Sequence, residues 1–224
     1  MTISYLSHLI QVGLFYGIIW TPNKIIVLKI LASALLAAIT ITGTPAPKVE
    51  PVVETKEVPA EVEVKMVTRW VLPGASSNEA HVLEALQDRG ITDRAALATV
   101  LGNIKQESRF ISNICEGGAR TGYLGCTRGG YGLIQWTTVG RYDGLGRHAN
   151  NIGHDPSSVT AQVSYLFTER EWREIEPSLR RPGYSIGYYM QRAYWWLGWG
   201  HHGRRTDYAW EYYHRLTTKQ VPAK

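Results

Sequence analysis

The chain has 224 residues, enough for one ordinary domain with appendages, and a net charge of +5. A modestly basic surface suits an anionic polymer, an anionic lipid or plain solubility. No zinc-finger spacing or RNP block is present, so nucleic acid is not an expected partner. Eight Trp and thirteen Tyr, most of them after residue 120, point to a packed aromatic core, a ring-stacking groove, or both.

Two apolar segments open the chain. Residues 3–20 (ISYLSHLIQVGLFYGIIW) read as a membrane or interfacial helix, closed by the turn signal Thr21-Pro22-Asn23-Lys24. Residues 25–43 (IIVLKILASALLAAITITG) have the length to cross a bilayer. Lys24 and Lys29 precede the main run and no basic residue follows until Lys48, which puts the C-terminal side outside the cytoplasm. Pro45 and Pro47 disrupt the small-residue cleavage sites, so an uncleaved signal anchor is expected. Residues 44–67 alternate Pro, Val, Glu and Lys and read as an extended linker. A globular domain is expected over 68–217, with 218–224 as a tail.

Within that domain, Ser76 and Glu79 have capping-box spacing and Gly90 marks a stop, which predicts a helix over 77–89. Thr92 is the expected cap of the next helix. Its buried face is Ala96, Leu97, Val100, Leu101 and Ile104, and Glu107 follows at its last turn. Residues 111–131 are rich in glycine and predict a loop. Both cysteines, Cys115 and Cys126, lie in that loop. A bridge between them would close a short loop and stabilise by about 2–3 kcal/mol, as suits an oxidising compartment; two free thiols are the other reading. Leu133-Ile134 is expected to begin a short buried helix. A helix from Ser157 or Ser158 should reach about Arg173, and others fit 184–196 and 204–216. Almost no run alternates with period two, so the fold class is mainly α.

The segment after the second helical pattern concentrates the chemistry. Glu107-Ser108 stands at a helix end, and the block Tyr131-Gly132-Leu133-Ile134-Gln135-Trp136 follows across the loop. A carboxyl group at the end of an apolar helix, facing an aromatic and amide-bearing wall, is suited to a single proton transfer. The segments GNIKQESRF and GGYGLIQW resemble the phage tail lysozyme-like family. More distantly they are similar to the lytic transglycosylase and goose-type lysozyme superfamily. Arg141 and the Gln162-x-x-Tyr165-Leu166 pattern extend the resemblance, which covers roughly residues 80–175.

The resemblance implies a lysozyme-like helical domain that cleaves peptidoglycan strands between N-acetylmuramic acid and N-acetylglucosamine. It makes Glu107 the general acid/base, with Ser108 supporting it and Gln135 contacting the glycan or orienting the site. Tyr131 and Trp136 are expected substrate contacts beside them. Glu116 and Asp143 are the candidates for a second carboxylate, although relatives of this type manage with one Glu and a group of the substrate. The aromatic run Tyr194 to Trp199 reads either as a core helix end or as a sugar-stacking surface. His201-His202 lacks a spaced third ligand, so no metal and no cofactor are expected. Peptidoglycan and, through residues 25–43, the inner membrane are the expected partners. The catalytic domain would lie in the periplasm as an anchored endolysin, or the protein would be virion-associated. Two rival readings are a non-catalytic wall-binding or virion structural module, and a wall peptidase or amidase using Cys115 or Cys126.

Overall fold

A computed structural model describes residues 64–223. The membrane-segment, signal-anchor and most of the linker expectations concern residues 1–63 and lie outside the described residues. Among the described residues no helix is long and apolar enough to cross a membrane. They form a mainly helical domain. The order is β1 (Met66–Val71), α1 (Ser77–Asp88), α2 (Arg94–Ser108), α3 (Val139–Asn151), α4 (Val159–Leu166), α5 (Arg170–Leu179), α6 (Ile186–Leu197), α7 (Arg205–Arg215) and β2 (Thr217–Pro222).

α1 starts where the capping-box spacing predicts: the Ser76 hydroxyl accepts from the Glu79 amide, and the Glu79 carboxylate accepts from the Ser76 amide at 2.8 Å. α2 is the central helix, buried continuously from Ala95 to Ile104. Its cap is Asp93, not Thr92. The Asp93 carboxylate accepts from the Ala95 and Ala96 amides at 2.9 and 3.0 Å, a stronger bond than a hydroxyl provides. α7 lies directly along α2. A Cβ at Gly102 would stand 2.5 Å from the Ala209 amide nitrogen, so only glycine permits that approach. Trp172 of α5 meets Trp196 of α6 edge to face, with ring centroids 4.9 Å apart, in the adjoining part of the core.

Two further expectations are corrected, and two features arise where no element is expected. The helix expected from Ser157 to about Arg173 is two helices, broken at 167–169. The break turns Glu169 inward, where its carboxylate accepts two bonds from Arg141 at 2.6 and 2.9 Å. Leu133-Ile134 begins no helix. The segment is a tight turn between Tyr131 and Trp136, whose backbones exchange hydrogen bonds at 3.2 and 3.0 Å. Gly132 (φ +74°) and Gln135 (φ +54°) occupy the left-handed region and prevent helical continuation. Residues 139–151, for which the sequence reading proposes no element, form α3. Finally, β1 and β2 pair antiparallel, with Met66 opposite Pro222 and Val71 opposite Thr217. The pair takes in residues that the sequence assigns to linker and tail, because β2 is almost wholly exposed and has no apolar alternation to announce it.

Candidate functional site

α2 ends at Ser108 without a glycine stop. Arg109 (φ 52°) and Phe110 (φ 62°) both adopt the left-handed conformation. Such residues cost about 1–3 kcal/mol each and persist only where their surroundings hold them. Here the Phe110 ring is buried against Tyr212, with centroids 6.0 Å apart, and the Asn78 amide donates to the Phe110 carbonyl at 2.8 Å. The stop fixes where Glu107 points.

Glu107 lines a cleft of about 570 Å³. Its lining includes the turn at Ile134 and Gln135, the loop 114–118, the end of α6 with the segment 197–201, and Arg205 at the start of α7. The Arg205 Nη2 donates to Glu107 Oε1 at 2.6 Å. The Arg205 side chain is only 5% exposed, against 17% for Glu107. Its guanidinium lies 4.6 Å from the centre of the Trp199 ring and also reaches the Asn103 carbonyl at 3.4 Å. A buried cation therefore holds the carboxylate at the cleft wall. Arg205 is absent from the sequence reading. Its signal is the spacing Arg205, Ala209, Tyr212 and Leu216, which puts an arginine on the inward face of the last helix.

The other expected site residues separate into cleft and support. Gln135 lines the cleft, and its side-chain amide donates to the Gly132 carbonyl at 2.9 Å. Glu116 also lines it, its carboxylate accepting from the Gly130 amide at 2.9 Å. Asp143 is exposed on α3 and is not part of the cleft wall. Ser108 is buried beneath the cleft, and its hydroxyl donates to the Leu133 carbonyl at 2.8 Å, tying the helix end to the turn. Tyr131 and Trp136 are fully buried and form the floor of the turn. Burial pushes the Tyr131 phenol above its ordinary value, and its hydroxyl donates to the Thr121 carbonyl at 3.1 Å. Gln162 is buried too. Its side-chain oxygen accepts from the Leu133 amide at 2.8 Å, and its nitrogen donates to the Ser112 carbonyl at 2.7 Å.

Cys115 and Cys126 are joined in a disulfide, with Cα atoms 5.5 Å apart. That bridge braces the loop carrying Glu116 and leaves neither sulfur as a nucleophile. His201 lines the cleft and accepts from the Gly203 amide at 3.0 Å. Among the described residues no group of three or more His, Cys, Asp or Glu is placed to hold a metal ion. A second cavity, about 380 Å³, lies between the strands and α1 and is lined mainly by apolar groups. Its Arg69 is paired with Asp88 at 2.5 Å.

Comparison with known proteins gives one result. A family model described as phage tail lysozyme matches residues 77–216. No curated protein and no solved structure matches the chain.

Proposed function

The chain belongs to the phage tail lysozyme family, and on that premise we propose that it cleaves peptidoglycan strands between N-acetylmuramic acid and N-acetylglucosamine, with Glu107 as the proton donor. Family membership supports a lysozyme-like enzyme acting on bacterial cell wall. The observation that carries the finer reading is a carboxyl at the cleft wall, held by a buried guanidinium.

In this reading each atom has a task. Arg205 engages Oε1 of Glu107, so Oε2 is the oxygen left to carry the proton. Delivery of that proton to the glycosidic oxygen leaves a negative charge on Glu107. Arg205 is already in place to meet it, without reorganisation at the moment of reaction. The carboxylate then takes a proton from the incoming nucleophile. That nucleophile is water, which yields a reducing end, or a hydroxyl of the same muramyl residue, which yields a 1,6-anhydro end. Glu116, which also lines the cleft, is the candidate for a second carboxylate if water is used.

Glu107→Gln tests the reading. Purified walls should lose turbidity ~10²–10⁴ times more slowly with the variant. Clearance within a few-fold of the parent by a folded variant removes Glu107 from the role. Mass analysis of the fragments separates hydrolysis from transglycosylation. Family membership is consistent with virion association. Anchoring through residues 25–43 with the domain in the periplasm is supported by the lysine pattern of the sequence. Protease added to spheroplasts tests it, and a protected domain overturns it.

A further inference from the structure

The buried face of α6 is Ile186, Tyr189, Met190, Ala193 and Trp196, recurring at helical spacing. Trp196 completes that face at 1% exposure. Its neighbours Tyr194 and Trp195 fall off it, at 45% and 68% exposure. A large aromatic ring left mostly in water forgoes most of the stabilisation that burial supplies, so the fold itself has little use for the Trp195 ring, and Tyr194 is only half covered. They are not scattered. The Trp195 ring meets Tyr194 edge to face at 5.5 Å, and Tyr194 meets Trp199 edge to face at 5.4 Å. Trp199 lines the cleft and carries the Arg205 guanidinium, which bonds Glu107. One unbroken series of contacts runs from a solvent-facing indole to the carboxyl.

We propose that Tyr194 and Trp195 form a distal sugar-binding ridge that continues the cleft and holds the glycan strand beyond the bond to be cut. The proposal rests on the glycosidase reading above. A pyranose ring has an apolar face of C–H groups that lies well on an aromatic ring. Tyr and Trp supply that surface with few rotatable bonds to immobilise. The occupant is the N-acetylated hexosamine strand itself, because the ridge is continuous with the cleft that grips the strand at the reacting bond. The enzyme then works best on strands long enough to reach from Glu107 to Trp195. Trp210, 47% exposed on α7, has ring contacts to Tyr213 and His214 and no part in the cleft lining. It serves as the control.

The test is kcat/KM on peptide-free glycan strands sorted by length, for the parent, Trp195→Ala, Trp195→Phe and Trp210→Ala, with melting curves for each. The parent and Trp210→Ala should gain activity with length. Trp195→Ala should lose that gain, falling roughly tenfold on long strands through KM, in line with the loss of one stacked ring. Trp195→Phe should recover most of it. A Trp195→Ala enzyme with the parent's dependence on length, or with an equal loss at every length, overturns the ridge. In that case the dependence on Glu107 still stands by itself. A parent inactive on strands of every length removes the glycosidase reading and the ridge together.

Discussion

Glu107 and Arg205 form a unit that no single stretch of sequence contains, since 98 positions separate them. Glu107→Gln removes the carboxyl that alternates between acid and carboxylate, and with it the countercharge that the carboxylate form gives a guanidinium that is 5% exposed. An amide oxygen still accepts from Arg205, so the variant should lose about 1–3 kcal/mol of stability rather than unfold. A melting curve taken beside the turbidity assay checks this, and an unchanged Tm would mean that Arg205 has found another partner. In the sequence Glu107 is a carboxyl at a helix end, with nothing beside it to say that its replacement would disturb the melt. The buried cation is what changes the expectation. Ser108→Ala makes a complementary case. Its hydroxyl is the donor to the Leu133 carbonyl. Removing it leaves a buried acceptor unmet, at about 1–3 kcal/mol. Wall-clearing activity should fall with Tm although the hydroxyl is buried away from any glycan. Activity lost at unchanged Tm would give Ser108 a direct role instead.

The bridged loop is the element in which stability and the cleft meet. Replacing Cys115 and Cys126 together by Ser should lower stability by about 2–3 kcal/mol, as the small closed loop predicts. The urea midpoint of the parent should fall equally when reductant is added, and that of the double variant should not respond. Elements with regular apolar spacing were readable in advance: α1, α2, α6 and α7 each show a face recurring at three and four residues. α3 was not, because Gly140, Gly144 and Gly146 interrupt its pattern. The reason for two of these glycines is visible only in three dimensions. A Cβ at Gly144 would lie 2.1 Å from the Tyr165 hydroxyl, and one at Gly146 would lie 2.6 Å from that of Tyr123. Contiguous motif residues also divide in space. Glu107 and Gln135 line the cleft, while Ser108, Tyr131 and Trp136 lie beneath it. Spacing along the chain brings such residues together without saying which of them faces outward.

Over the whole molecule, several inward carboxylates anchor the packing, and they set its response to acid. Burial would push Glu176 up, but Arg89 and Arg180 bond its carboxylate and hold it below the ordinary value of 4.5. Glu79 is treated likewise: burial is outweighed by bonds from Tyr212 and Ser76. Groups with lowered folded values contribute stability that is present above the ordinary carboxylate range and lost as pH falls through the lowered values. The urea midpoint should therefore stay level above about pH 5 and drop on further acidification. Glu176→Gln should flatten the drop, and an equally steep profile would assign the acid response elsewhere. The strand pair has a consequence of another kind. Because Met66 stands opposite Pro222, the polypeptide enters and leaves the domain side by side. The domain is a ring with one small gap. A few added residues across that gap, and new ends at Gly153 in the exposed stretch 151–155, should give a circular permutant that folds and clears walls. Failure to fold would show that the strand ends must be free. The same gap lets the domain be spliced into a surface loop of an unrelated carrier without prying that loop apart. No residue of either strand lines the cleft, so a graft made there presents the working face intact.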